Sequence, residues 1–174
     1  MIKVGDVFRN TKGSEYVVVE YSNHDNVTVE FCDEHKHRTV KGGVCVKSGN
    51  IKNPYHPLLF GVGYYGVGIH KSKAGPSKAG FTNLPAYSAW SNMLSRCYDK
   101  NYISPDVYEN SIVHEDWHCF QTFAEWYYKE LSDLKWNRKS YLDKDILGNG
   151  NIYSEKFCCI VPSTINTIIT QKHG

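Results

Sequence analysis

The first fifty residues alternate apolar and polar positions in short bursts. KVGDVFRN, EYVVVEYS, NVTVEFCD and HRTVKGGVCV follow one another between turn signals at Lys12-Gly13, Asn23–Asn26 and Gly42-Gly43. A period of two sends one face of an extended strand inward and the other to solvent. Four or five short strands spaced in this way predict a small β-barrel of the SH3-like or Tudor-like kind over residues 1–50. Such modules bind peptides or nucleic acid, or serve assembly alone. The segment SGNIKNPYHP, with two prolines, a glycine and two asparagines, reads as the linker that ends this domain.

Further on the period lengthens. Pro85 suits a first helical turn and Asn83 can cap it, so a helix is predicted over Leu84–Tyr98 with Tyr87, Trp90, Leu94 and Cys97 on its core stripe. Arg96 lies off that stripe. VHEDWHCFQTFAEWYYKEL predicts a second helix, with Phe120, Phe123, Ala124, Tyr127 and Leu131 on one face and Trp117 and Trp126 bracing the packing. The run YLDKDIL then reads as a strand, Gly148–Asn151 as a tight hairpin turn, and the next apolar run as the partner strand. Pro162 opens a terminal helix expected over Ser163–Gln171. The fold class is therefore α+β: an N-terminal barrel, a Gly/Lys-rich connecting segment over residues 51–83, and a helix–helix–β-hairpin–helix unit over residues 84–174.

Composition narrows the function classes only a little. At 41% hydrophobic and 14% aromatic the 174-residue chain can bury a core, while thirteen tyrosines and four tryptophans also offer stacking surfaces for bases. A net charge of +2 is too mild to imply nucleic-acid binding by itself, so a basic surface has to come from local clustering. The start MIKVGDVF lacks the apolar core of a signal peptide, and no later run could span a membrane. A cytoplasmic setting follows as the expectation, and without a secretory signal the six cysteines, which show no C-x-x-C pair, are expected to be reduced and mostly buried.

Candidate chemistry falls in three places. Gly61, Gly63, Gly66 and Gly68, around Tyr64 and Tyr65 and followed by Lys71, Lys73 and Lys78, resemble a loop in which backbone N–H groups approach a phosphate and lysines add charge. The same residues also suit a glycine-rich hairpin with a basic loop. Histidines at His35-x-His37 and His114-x-x-x-His118 have spacings that would share a strand face and a helical face. Scattered surface histidines account for them as well, and no metal ligand is assigned. In the strand YLDKDIL, Asp143 and Asp145 alternate with Lys144, so both carboxylates are expected on one side. Arg138 and Lys139 bring positive charge just ahead of them.

The pattern LDKD…GN…YS…C…VP…IN, preceded by W…ML…RCY and W..F..F..W, resembles a group of small phage-encoded proteins classed with His-Asn-His (HNH) homing endonucleases and their DNA-binding relatives. The residues that carry the likeness are Trp90, Met93, Leu94, Arg96, Cys97, Tyr98, Trp117, Phe120, Phe123, Trp126, Leu142, Asp143, Asp145, Asn151, Tyr153, Ser154, Cys158 and Asn166, roughly the C-terminal half. The resemblance implies a related fold, a phage setting and the cytoplasm of an infected bacterial host. It does not carry over the usual catalytic set. Lys144 stands where the catalytic histidine would follow the first aspartate, Phe157 stands at the central asparagine, and Asn166 alone falls on the motif's last position. An ammonium has no lone pair with which to take a proton from water.

Three functions follow as expectations. The first is a nucleic-acid-binding protein with an altered HNH-like domain, which uses Gly63, Tyr64, Tyr65, Gly66, Lys71, Lys73, Lys78, Arg96, Arg138, Lys139, Lys144 and Asn166. The second is a phage anti-defence protein that sequesters a phosphate-bearing nucleotide signal or binds a host defence protein. The third is an endonuclease in which Asp143 and Asp145 hold Mg²⁺ and His118 or His114 activates water.

Overall fold

The computed structural model describes residues 1–75, 84–102, 108–134, 140–147 and 151–162. It is an α+β fold in two compact units, Met1–His56 and Pro57–Gly174.

The N-terminal unit is a meander of four antiparallel strands in the order β1 (Val7–Arg9), β2 (Glu15–Asn23), β3 (Asn26–Phe31) and β4 (Arg38–Lys41). Turn chemistry sets the corners. The Asn10 side-chain oxygen accepts from the N–H of Lys12 and of Ser14, with Gly13 at φ +93°, and Asn23 accepts from Asp25 and Asn26. Alternation then sorts the faces: Tyr16, Val18, Val27, Val29 and Phe31 are buried, while Glu15, Thr28 and Glu30 are at least partly exposed. No pairing closes β4 onto β1, so the sheet is open.

The last predicted strand is cut short. Gly42 and Gly43 end it at Lys41, and Gly43–Ser48 turn into a short helix, α1. Three residues of V-C-V fit either period, and burial settles the choice: Val46 is fully buried while Val44 is exposed. The Tyr16 hydroxyl donates to the Val46 carbonyl at 2.6 Å inside this core. Tyr16→Phe should therefore destabilise the N-terminal unit by about 1–2 kcal/mol, since a buried carbonyl loses its donor. A urea melt followed by tyrosine fluorescence tests this, and a variant as stable as the parent would refute it.

The expected linker is not free chain. Ile51 is buried in the N-terminal core, its carbonyl accepts from Asn10 at 3.0 Å, and the Asn53 side chain donates to Asp33. The boundary falls between His56 and Pro57.

The C-terminal unit is built on two helices, α2 (Pro85–Tyr98) and α3 (Phe120–Asp133). Leu84 holds the N-cap position of α2, and Asn83, the expected cap, lies outside the described residues. Trp90, Met93 and Leu94 of α2 meet Phe120, Phe123, Ala124 and Tyr127 of α3 in one core, with Trp117 and Trp126 within it. The second helix begins later than its sequence suggests. Ahead of it stand β5 (Ile112–Val113) and a single 3-10 turn over Glu115–His118. The remaining strands are β6 (Ser140–Asp143), β7 (Ile152–Tyr153) and β8 (Cys159–Pro162). Their pairing corrects the simple hairpin: β6 pairs antiparallel with β8, and β7 pairs parallel with β5. The predicted terminal helix, Ser163–Gln171, lies outside the described residues, as do residues 148–150 of the predicted turn.

All six cysteines are unpaired, and only Cys158 is buried, so the expectation of mostly buried thiols is too strong. Among the described residues no helix is long and apolar enough to cross a membrane.

Candidate functional site

The Asp143–Lys144–Asp145 stretch closes strand β6. Asp143 lies opposite Cys159 of β8, and its carboxylate accepts from the N–H of Asp145 at 2.9 Å and of Ile146 at 3.0 Å. A carboxylate that caps the next turn in this way ends the strand, because the chain bends to bring both donors to one oxygen. The strict alternation therefore stops at Asp143. That side chain is buried with its residue 8% exposed, whereas Asp145 points outward with its side chain 59% exposed. The two carboxylates do not share a strand face.

Lys144 between them is also buried. Its ammonium is 2.8 Å from Asp145 Oδ1 and lies 5.6 Å and 5.9 Å from the ring centroids of Tyr108 and Tyr153. Arg96, from the last turn of α2, places its guanidinium 5.5 Å from the same Tyr108 ring. Burial works against the Arg96 charge, but hydrogen bonds to Tyr153 and Tyr102 hold its pKa above the ordinary value. Two cations thus share the Tyr108 ring, with Lys144 also near the Tyr153 ring and Arg96 hydrogen-bonded to Tyr153.

The neutral members of this cluster stay neutral near pH 7. Burial pushes the Tyr153 phenol well up, against the pull of Arg96. Burial also raises the Cys97 thiol to about 11 and the Cys158 thiol to about 12. Neither sulfur is a ready nucleophile, since reactivity belongs to the thiolate.

The histidines are placed differently from their spacing. His114 caps the 3-10 turn, with Nδ1 accepting from the Asp116 N–H and lying 3.2 Å from Asp116 Oδ2. His118 ends that turn, 3.4 Å from the Tyr98 hydroxyl, and burial lowers its pKa. At three residues per turn, positions four apart do not share a face. The helical face expected for His114 and His118 is therefore absent, since His114 is the cap and His118 the last residue of a 3-10 turn. In the N-terminal unit His35 stacks on Tyr55 at 4.0 Å and His37 on Phe31 at 6.3 Å. Among the described residues no three His, Cys, Asp or Glu side chains converge to hold a metal ion.

The glycine segment is a packing device. Residues 59–63 form a tight turn, and the chain then runs beside the 3-10 turn, with the Tyr64 N–H donating to the His118 carbonyl at 2.9 Å. A Cβ on Gly63 would sit 2.4 Å from Leu94 Cδ1, and one on Gly66, at φ +73°, would sit 2.5 Å from Cys119 Sγ. These glycines let the backbone approach α2 and α3, which is a sufficient reason for their type. Tyr65 packs on Phe120 at 5.1 Å and donates to the His70 carbonyl at 2.8 Å. Lys71 and Lys73 follow on the surface. Lys78, Arg138, Lys139 and Asn166 lie outside the described residues.

No protein-family model matches the chain, and comparison with curated proteins and with solved structures finds no match either.

Sequence reasoning named Arg96 and Lys144 separately and missed their convergence. Tyr108 sits in what reads as a polar loop, where no periodicity signals burial. Also missed was a cleft of about 380 Å³ beside the 3-10 turn and β7.

Proposed function

We propose that this is a phage-encoded nucleic-acid-binding protein whose C-terminal unit is a degenerate HNH-like module that does not cleave by the usual HNH mechanism. The observation that carries the reading is Lys144. It occupies the position at which the resemblance expects a catalytic histidine, is buried, and is ion-paired to Asp145. A protonated amine so placed stabilises charge and cannot act as the base for water. The antiparallel β6–β8 pair, joined by a long connection, supports the related fold. Asp143 is committed to two backbone donors. The four-stranded antiparallel meander supports reading the N-terminal unit as an SH3-like module. Exposed Lys71 and Lys73 supply phosphate contacts, and Arg96 adds charge beside Lys144. The setting proposed is the cytoplasm of the infected host.

The test is duplex DNA binding as a function of salt, with Mg²⁺ present and absent. Affinity should fall as salt rises, and the double variant Lys71→Gln/Lys73→Gln should lower the salt slope by about one per phosphate contact removed. Thermal stability should not change, since both lysines are exposed. Salt-independent binding would overturn the reading, and Mg²⁺-dependent loss of the duplex would put the nuclease in its place. Sequestration of a nucleotide signal, the second reading, draws support from the cleft beside β7.

A further inference from the structure

The cleft beside the 3-10 turn lies within the C-terminal unit and is lined by residues of the turn, of α3 and of the chain from β7 to Phe157. Its volume of about 380 Å³ falls within the roughly 300–1,000 Å³ usual for small-molecule sites. Much of the lining is apolar: Trp117 and Trp126 are buried, and Ile152 and Phe157 are half-buried. The polar side chains are His114, Asp116, Thr122, Ser154, Glu155 and Lys156. Asp116 and Glu155 are acceptors, Asp116 with His114 Nδ1 already 3.2 Å away, and Lys156 supplies a cation. The Lys156 ammonium is 5.1 Å from the Phe157 ring centroid, so positive charge stands directly beside an aromatic surface.

Ser154 adds an independent observation. It lines the cleft, its residue is 8% exposed, and its hydroxyl has no hydrogen-bond partner among the described residues. A buried polar group without a partner costs about 1–3 kcal/mol. The Ser154 oxygen is sealed from solvent, so a ligand would relieve that cost only if the side chain turned toward the cleft.

We propose that this cleft takes one unpaired nucleotide whose base carries an amino group. The base would lie against Phe157 and Ile152, its exocyclic amino group would donate to Glu155 or Asp116, and its phosphate would meet Lys156. An apolar side chain from a partner would leave Glu155 unanswered, whereas Asp116 already has His114 Nδ1 at 3.2 Å. A bare polyanion would be repelled by the two carboxylates. A flat heteroaromatic ring with donors on its edge and one phosphate answers both signs of charge. The proposal rests on the nucleic-acid reading only for the source of the nucleotide, which is either free in solution or unpaired within a strand.

Trp117 and Trp126 line the cleft, so tryptophan fluorescence of the full chain reports its occupation. The titrants are adenosine, cytidine, guanosine and thymidine monophosphates, a fully paired duplex, and the same duplex with one unpaired adenine. The first three nucleotides should give a saturable change. Thymidine monophosphate, which lacks the amino group, should bind roughly tenfold more weakly, as loss of one charge-assisted hydrogen bond implies. Phe157→Ala should weaken nucleotide binding by roughly tenfold through lost stacking. Lys156→Gln should weaken the monophosphates and leave the corresponding nucleosides unchanged.

Preference for the duplex with the unpaired adenine would place the nucleotide within a strand. Mononucleotide binding without duplex binding would make it a free nucleotide, and would refute the nucleic-acid reading while upholding the site. Duplex binding with no saturable response to any mononucleotide would overturn the site and leave that reading standing. Variants at Phe157 and Lys156 that bind nucleotides like the parent would also overturn it.

Discussion

Trp90→Ala should cost the C-terminal unit about 3–5 kcal/mol, the largest effect expected from any single change considered. The residue is 2% exposed at the centre of the core, with ring centroids 5.4 Å from Phe120 and 5.7 Å from Tyr87. Its indole N–H also donates to the Trp117 carbonyl at 2.7 Å. Truncation leaves a cavity and orphans that carbonyl in one step, and the two costs add because they fall on different groups. The cavity cannot collapse easily, since Gly63 already brings the backbone against Leu94 and Trp90. Urea unfolding followed by near-UV circular dichroism gives the loss. The N-terminal unit has its own core and should keep its transition. A loss below about 1 kcal/mol would mean that α2 is not held by this contact.

Asp143→Ala should cost about 3 kcal/mol, while Asp143→Asn should recover most of it. The alanine variant removes both hydrogen bonds that close strand β6, each to a charged acceptor and each worth about 1.5 kcal/mol. Asparagine keeps an oxygen at the same place and caps such a turn well. The pair of variants therefore separates two roles. A turn-closing carboxylate tolerates asparagine. A carboxylate that binds Mg²⁺ for cleavage does not, because the amide oxygen carries no full negative charge. Thermal unfolding of both variants, with nuclease assays alongside, makes the comparison. Equal destabilisation by both would show that the negative charge, not the hydrogen-bond geometry, holds the strand end.

Much of the secondary structure was legible in the sequence, and the reason is burial. Tyr16, Val18, Val27, Val29 and Phe31 alternate because one face of a sheet needs them. Trp90, Leu94, Phe120, Phe123 and Tyr127 recur at helical spacing because two helices share one core. Asn10 and Asn23 sit at corners that their side chains hydrogen-bond. Where a segment is short the same reasoning failed. The V-C-V of α1 matches two periods, and the 3-10 turn before α3 looks like the first turn of a longer helix.

The candidate chemistry was less legible. The resemblance marked Lys144 as a departure from a catalytic pattern, but only the fold puts Arg96, Tyr108 and Tyr153 around it. The glycines suggested a phosphate cradle. The fold gives Gly63 and Gly66 neighbours, Leu94 and Cys119, that a side chain would strike, while a Cβ on Gly61 would meet nothing. Alternation put Asp143 and Asp145 together until a side-chain cap bent the chain between them.

By itself, then, the sequence determined which positions are buried and with what period, and so the strands, the helices and most of the core. Periodicity records whether a residue faces inward. It does not record which residue it meets there. That β6 pairs with β8 while β7 runs parallel to β5, that two cations share one tyrosine ring, and that a cleft opens beside Ser154 are matters of long-range contact. Strands of two to four residues are too short to specify a partner through pattern alone. β5 packs on α2 and β8 on α3, contacts distant in sequence, so only the tertiary structure could decide the pairing.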